Sequence, residues 1–358
     1  MSVHPANSTE RARLTQSVKD EARRLRFDVV GIARADQPLG EDHARYEAFL
    51  AAGYHGSMDY LAADADVRAR LDRPTVLEGA RSVICLARSY KRADDDRDGP
   101  MAQRVARYAR GQDYHNGLRK RLRRLAAFVR ALAPGVSARP LVDDAPVLER
   151  AWASRAGLGF VGKNGLLIAP GVGSYVLLGE VVTTLELAPD DPIPGRCGAC
   201  TRCLDACPTQ ALVRPFVLDA RRCVAYLTIE HEGPLDPALR EGVGERVFGC
   251  DVCQEVCPFN AGRAEAADAQ PFRPHARLDD ASLEGWLGLD AAGFEAVRAG
   301  SPLGRPGLDG LQRNAAIALG NRGDPVARSA LSAKASDPHA APAVREAAAW
   351  ALGRLRGD

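Results

Sequence analysis

The chain has 358 residues, with 48 Lys and Arg against 46 Asp and Glu, a formal net charge of +2, and 46% hydrophobic residues. At ~150 residues per domain this length suggests two or three domains with a proper core, and the composition excludes wholesale disorder. The balanced charge excludes a nucleic-acid binder that works by gross charge, though not one that works through a local patch.

No run approaches the ~18 apolar residues of a membrane span. The N-terminal MSVHPANSTERAR has no apolar core behind its charges, so it does not read as a secretory signal. The expectation is a cytoplasmic monomer with no membrane contact. Residues 11–26 read as a helix with Leu14, Val18, Ala22 and Leu25 on one face. FDVVGIARAD (27–36) reads as a buried strand entering a loop, and helical segments follow around 41–63. RSVICLARSY (81–90) is a second strand, with Val83, Ile84, Cys85 and Leu86 in a continuous apolar run. DDDRDGP (94–100) is a polar loop. Residues 112–132 carry Leu118, Leu122, Leu125, Val129 and Leu132 at helical spacing. PGVSARPLVDDAPV is a turn, a short strand and another turn. Residues 148–157 look helical, and SYVLLGEVVTTLEL (174–187) is strand-rich. Strands alternating with helices over 1–187 predict an α/β or α+β domain.

APDDPIPG (188–195) is a linker that opens a cysteine-rich segment, 188–262. The remainder, 263–358, is helical and becomes Ala-rich from about 311. RNAAIALGN (313–321) recurs as REAAAWALGR (345–354). Two copies at this spacing fit either a helical repeat of the HEAT kind or two amphipathic helices, and the sequence weighs them equally.

Of nine cysteines, Cys85 stands alone in an apolar strand and reads as a small core hydrophobe. The other eight lie between Cys197 and Cys257. Thiols clustered in a cytosolic chain point to metal ligation rather than disulfides. The first run, Cys197-x2-Cys200-x2-Cys203-x3-Cys207-Pro208, has the bacterial ferredoxin spacing. There, three close thiolates hold one [4Fe-4S] cluster and the fourth reaches a second. The second run, Cys250-x2-Cys253-x3-Cys257-Pro258, is one cysteine short, and Cys223 supplies it. The crossing rule assigns Cys197, Cys200, Cys203 and Cys257 to one cluster, and Cys207, Cys223, Cys250 and Cys253 to the other. Two zinc sites of four cysteines each are the competing reading, disfavoured by the doubled spacing with Pro. Two neighbouring clusters form an electron relay that needs a host for its electrons, and the N-terminal domain is the obvious one.

Asp143 and Asp144 precede an apparent helix, and spacing alone favours a turn and N-cap over a catalytic acid. Arg150, Lys163 and Asn164 follow in a Gly-rich stretch. Gly157, Gly159 and Gly162 match a dinucleotide fingerprint but follow a helix, so that site is discounted. The glycines would still let a loop approach a flat ligand. Residues 110–132 carry seven Lys or Arg (Arg110, Arg119, Lys120, Arg121, Arg123, Arg124, Arg130) against Asp113, a local +6 that reads as a solvated face or a phosphate contact. The tail 301–358 carries eight Lys or Arg against five acids, a weaker +3. His115 and His231 have no His at i+4 and no HExxH frame, which argues against a mononuclear metalloenzyme and for structural or hydrogen-bonding roles.

Several stretches in order resemble the epoxyqueuosine reductases, cobalamin-dependent iron–sulfur enzymes that complete queuosine in tRNA. They are GYHGSMDYL (53–61), GARSVI (79–84), GQDYHNGLRKRL (111–122), VDDAPVLERAWASRAGLGFVGKN (142–164), CGACTRCLDACPTQAL (197–212), RRCVAYLTIEHEGP (221–234) and FGCDVCQEVCPFN (248–260). The resemblance implies an N-terminal cobalamin domain, a ferredoxin-like two-cluster domain and a helical HEAT-like domain, α+β overall. It implies tRNA carrying epoxyqueuosine as substrate and a low-potential electron donor as partner. The family's proton-donating aspartate falls on Asp143, with a second acid at Asp144 where relatives more often have Ser or Thr. The cobalamin surroundings fall on Arg70, Ala106, Asp143, Leu167, Leu178 and Ala225, with Lys163, Asn164 and Ser174 as neighbours. To act as an acid, Asp143 would need a pKa raised by burial. Competing readings are another cobalamin iron–sulfur reductase, such as a reductive dehalogenase, and an electron carrier, which would leave the first ~190 residues idle.

Overall fold

The structure is a computed structural model that describes residues 8–94, 97–143, 145–262 and 270–356. Asp144 therefore lies outside the described residues. Four strands form the main sheet: β1 (Val29–Arg34), β2 (Ser82–Ser89), β3 (Ala138–Leu141) and β6 (Val176–Thr183), in the order β1-β2-β6-β3. Every pairing in it is antiparallel. The N-terminal domain is therefore α+β, not α/β. The strand β6 inserts between β2 and β3, which run parallel to each other and are joined by a helical crossover, and periodicity along the chain does not encode that insertion. Two small ladders lie outside this sheet, β4 (Phe160–Val161) with β5 (Leu167–Ile168), and β7 (Leu212–Arg214) with β8 (Val217–Leu218).

All eight residues of β2 are buried, because helices cover both faces. Side chains alternate across the sheet. Ile84 and Leu86 pack with Leu14 and Val18 of helix Ser8–Arg24 and with Leu118, Leu122 and Leu125 of helix Tyr114–Ala131. Val83, Cys85 and Ala87 pack on the other face against Trp152 of helix Glu149–Arg155. Cys85 is a core residue, as its apolar strand predicts, and burial pushes its thiol pKa well up.

A second core runs from Met101 and Val105 through Val224, Tyr226 and Phe248 to the C-terminal helices. Helix Gly307–Arg322 lies at its centre, with every residue from Gly310 to Gly320 buried. Gly320 lets it meet helix Pro342–Arg356, since a Cβ there would stand 2.8 Å from that of Ala351. Two polar residues of the same helix clasp the cysteine-rich segment. Arg313 donates to the carbonyls of Leu227 (2.7 Å), His231 (2.8 Å) and Gly233 (2.8 Å). Asn314 donates to those of Thr228 (2.8 Å) and Val247 (2.9 Å). Burial lowers the Arg313 pKa to about 10. His231 sits in a structural contact, its Nε2 lying 3.0 Å from the Pro234 carbonyl.

Replacing Arg313 by Met leaves three backbone acceptors without their charged donor. The expected loss is about 2–4 kcal/mol in chemical denaturation, whereas Lys120→Met on an exposed helix face changes little.

Candidate functional site

Strand β3 ends at Leu141, and two residues on Asp143 takes a left-handed backbone (φ 55°), a conformation Asp tolerates better than most. Its N–H donates to Glu149 Oε1 at 3.0 Å. Asp143 is thus no N-cap. The helix beginning at Glu149 has Leu148 at its N-cap with no side-chain cap, and the Glu149 side chain reaches back to the turn instead.

The Asp143 carboxylate accepts from Tyr114 Oη (2.9 Å) and pairs with His115 Nε2 (3.4 Å). His115 Nδ1 meets Asp113 Oδ1 at 2.7 Å. Asp113 also caps its helix by accepting from the His115 N–H, at 2.9 Å. The Tyr114 and His115 rings stack with centroids 4.0 Å apart. One helix N-terminus thus aligns Asp113, His115 and Asp143 in a chain.

This overturns the expected raised pKa at Asp143. The hydrogen bond from His115 holds the carboxyl below its usual range, burial opposes this, and Tyr114 adds to the lowering. The two donors together outweigh burial. His115 moves the other way, raised first by its hydrogen bond to Asp143, opposed by burial, and raised further by Asp113. The proton of the pair rests on the imidazole. Of the structural and hydrogen-bonding roles open to His115, the structure shows the second, a bridge between Asp113 and Asp143. The usable signal is an Asp two residues ahead of a His at a helix N-terminus.

The eight clustered thiols can be grouped by which of them act on one another. Burial is the main cause raising the pKa values of Cys203, Cys223, Cys250 (to about 11), Cys253 and Cys257. Neighbouring thiols add to it: Cys197 and Cys257 act on Cys203, and Cys197 and Cys200 act on Cys257. Cys207 acts on Cys223, Cys223 on Cys250, and both Cys250 and Cys223 on Cys253. Cys203 acts on Cys253 as well, so the two groups are neighbours. Among the described residues no three His, Cys, Asp or Glu side chains gather tightly enough for a single ion. Four spread thiols suit the wider four-iron core, whose positive irons remove the repulsion among thiolates.

Three residues expected beside the cobalamin bond to the cysteine segment. Lys163 Nζ donates to the carbonyls of Gly198 (2.7 Å) and Cys200 (2.9 Å), and Asn164 Nδ2 donates to that of Cys253 (3.4 Å). Ser174 accepts at Oγ from Asn260 Nδ2 (2.9 Å) and donates to Gln254 Oε1 (3.0 Å). The adjoining Gly173 is obligatory, since its φ is 100° and a Cβ would stand 2.3 Å from Asn260 Oδ1. Arg70 pairs with Asp72 near Asp36, at the Thr183 end of β6. The pairing of β3 ends at Leu141 opposite Glu180, two residues short of Asp143. Leu167 and Ala106 are buried, Leu178 is partly buried, and Ala225 follows Cys223 on helix Val224–Ile229. Loop 54–57 rests on that helix, with Ser57 N–H and Oγ bonded to Tyr226 Oη at 2.9 and 2.8 Å.

Two neighbouring thiol groups beside an acid–imidazole pair define an iron–sulfur oxidoreductase. Family comparisons agree: the model of the 4Fe-4S double cluster binding domain matches residues 196–260. That of "Epoxyqueuosine reductase QueG, DUF1730" matches 70–144. HEAT repeats match 309–358, which decides between the two readings of the C-terminal helices. The epoxyqueuosine reductase of Gloeobacter violaceus is 47% identical over 87% of this chain and 97% of its own. A solved epoxyqueuosine reductase with an epoxyqueuosine-modified tRNA-Tyr stem loop superposes with a TM-score of 0.86 at 31% identity, over 97% of this chain and 91% of that one. The enzyme of Bacillus subtilis, solved with its catalytic aspartate loop swung out of the active site, gives 0.85 at 31% identity, over 96% and 90%. The chain belongs to the epoxyqueuosine reductase family.

Lys163→Met removes a cation from the Cys197–Cys200 loop. The first cluster should become harder to reduce, by tens of millivolts in a potentiometric titration followed by electron paramagnetic resonance, while the second stays put.

Proposed function

We propose that the protein reduces epoxyqueuosine to queuosine at the wobble position of tRNA, taking electrons from a low-potential donor through two [4Fe-4S] clusters to a cobalamin. The observation that carries this is the Asp113–His115–Asp143 chain in the domain that adjoins the clustered thiols. The 47% identity over nearly the whole length of a reductase supports it against a dehalogenase. An electron carrier would have no use for the proton chain. A tRNA substrate places the enzyme in the cytoplasm.

Loss of an epoxide oxygen as water, leaving an alkene, takes two electrons and two protons. Cobalamin, when bound, supplies a strongly reducing and nucleophilic metal centre. The residues suited to hold it are Ala106, Leu167, Leu178 and Ala225, small or apolar, with Asp143 at their side. An apolar lining of this kind would accept the flat face of a corrinoid. The histidine of this site, His115, has both nitrogens engaged by Asp113 and Asp143. Arg70, Lys163, Asn164 and Ser174 are further neighbours of the corrinoid in this reading, the last three also tied to the cysteine segment.

The chain's own groups manage the proton. His115 Nε2–H gives its proton to Asp143 Oδ2, and the carboxyl passes it to the departing oxygen; the second proton that completes the water comes from solvent. Tyr114 keeps the carboxylate aimed by donating to the same oxygen, and its own proton is retained because burial and the Asp143 charge raise its pKa. The acid is the pair rather than an aspartic acid made abnormally weak. Of the basic run, Arg110, Arg121 and Arg130 are committed to internal carbonyls. Lys120, Arg123 and Arg124 remain exposed for RNA phosphates.

The test is anaerobic turnover of tRNA containing epoxyqueuosine, with cobalamin and a low-potential reductant, read as queuosine by mass spectrometry after digestion. Conversion should require cobalamin, and its absence with clusters and cobalamin in place would refute the reading. Asp143→Asn should keep both clusters and cobalamin yet lose about 10²–10⁴-fold in turnover.

The raised His115 pKa sets the pH dependence. The proton is present below the ordinary imidazole value of ~6.5 and is lost as pH rises through the higher folded value. The wild-type rate should therefore fall on the alkaline side, and His115→Gln should remove that limb.

A further inference from the structure

Tyr60 is 51% exposed, matched among the described aromatics by Phe216. Phe216 sits on the β7–β8 turn, whereas Tyr60 is joined to the Asp143 site by a path of contacts. Arg305 beside the Tyr60 ring pairs with Glu230 at the end of helix Val224–Ile229. Thr228 Oγ1 of that helix accepts from the Gly249 N–H next to Phe248 at 2.9 Å, and the Phe248, Tyr108 and Tyr114 rings lead on to the Asp143 carboxylate. Burial first, then the Glu230 charge and more weakly the Asp143 charge, raise the Tyr60 pKa. The backbone under the ring is fixed. The Tyr60 carbonyl accepts from Arg68 Nη2 at 3.0 Å, and that of Leu61 accepts from Tyr46 Oη. The ring is thus held outward on the short helix Asp59–Ala62 rather than left loose.

Arg305 comes from the C-terminal domain and places its guanidinium carbon 5.8 Å from the Tyr60 ring centroid. Glu230, at the end of helix Val224–Ile229, locks it with contacts of 2.9 Å (Nη2–Oε2) and 3.1 Å (Nε–Oε1). Its side chain is still 56% exposed. An aromatic face and a fixed guanidinium plane, both open to solvent, are the two surfaces on which unpaired bases stack.

We propose that Tyr60 and Arg305 form a stacking platform for a nucleobase adjacent to the reacting nucleotide of a single-stranded RNA loop. This rests on the tRNA reading above. A base drawn into the Asp143 site leaves its neighbour without a stacking partner, and the platform replaces that partner. The recognition is of a flat base, tolerant of its identity.

The test measures affinity of a fluorescently labelled anticodon stem-loop for the anaerobically reconstituted holoenzyme by anisotropy. Tyr60→Ala should weaken binding about 10-fold or more, raising KM with kcat little changed. Tyr60→Phe and Tyr60→Trp should bind within about twofold of wild type, since stacking needs only a ring. Arg305→Ala should weaken binding less than Tyr60→Ala. Val326→Ser, at an exposed apolar position in the tail, is the control and should change nothing. Unaltered stem-loop affinity in Tyr60→Ala, with wild type binding well, overturns the platform. So does loss of bound cobalamin absorbance with RNA affinity kept, which would assign the ring to the cofactor. Failure of the wild type itself to bind the stem-loop would sink the tRNA reading and the platform with it.

Discussion

Eight thiols crowd the middle of this chain, and once ionised they repel one another across short distances. Iron is what makes that crowding favourable, so metal binding and completion of the fold are one equilibrium. The crossing of ligands sharpens the constraint. Cys257 lies back with Cys197 and Cys200, and Cys223 lies among Cys207, Cys250 and Cys253, so each set draws on distant parts of the segment. The surroundings are built to hold that crossing still. Lys163 and Asn164 grip one cysteine loop each, Asn260 and Gln254 tie the second run to Ser174, and Arg313 and Asn314 bind from the far side.

The acid site shows how charge placement can replace burial. A buried carboxylic acid kept neutral carries a desolvation cost in every molecule. Here the carboxylate stays charged and half-exposed, and the labile proton waits on an imidazole braced by a second carboxylate. A left-handed residue at the turn aims the carboxylate, and the helix beginning at Tyr114 brings both Tyr and His to it.

Local patterns are legible where one physical rule decides them. Cysteine spacing proposes a place for all eight clustered thiols, because thiolate reach limits which can share a core. The 3.6-residue period puts Leu118, Leu122, Leu125 and Val129 on the buried face of their helix. The antiparallel sheet is not legible, since strand direction depends on where a connection lands. His115 escapes a sequence reading because its partners are an N-cap and a residue 28 positions on. Lys163, Asn164 and Ser174 bind backbone and side chains of the cysteine segment, contacts that leave no periodic trace. Arg70 is placed by resemblance alone, and its nearby Asp72 claims it.

The clasp of helix Gly307–Arg322 on the cysteine segment has a consequence during synthesis. The carbonyls that Arg313 and Asn314 engage belong to residues 227–247, made well before the clasp itself. From Cys257 to Asn314 about 57 more residues are added, which at ~5–20 residues per second takes roughly 3–11 s. Throughout that interval the nascent thiols lack their final cover. Cluster assembly on the growing chain is therefore in competition with oxygen, and docking of the C-terminal helices on the cysteine segment is the closing step of cofactor protection.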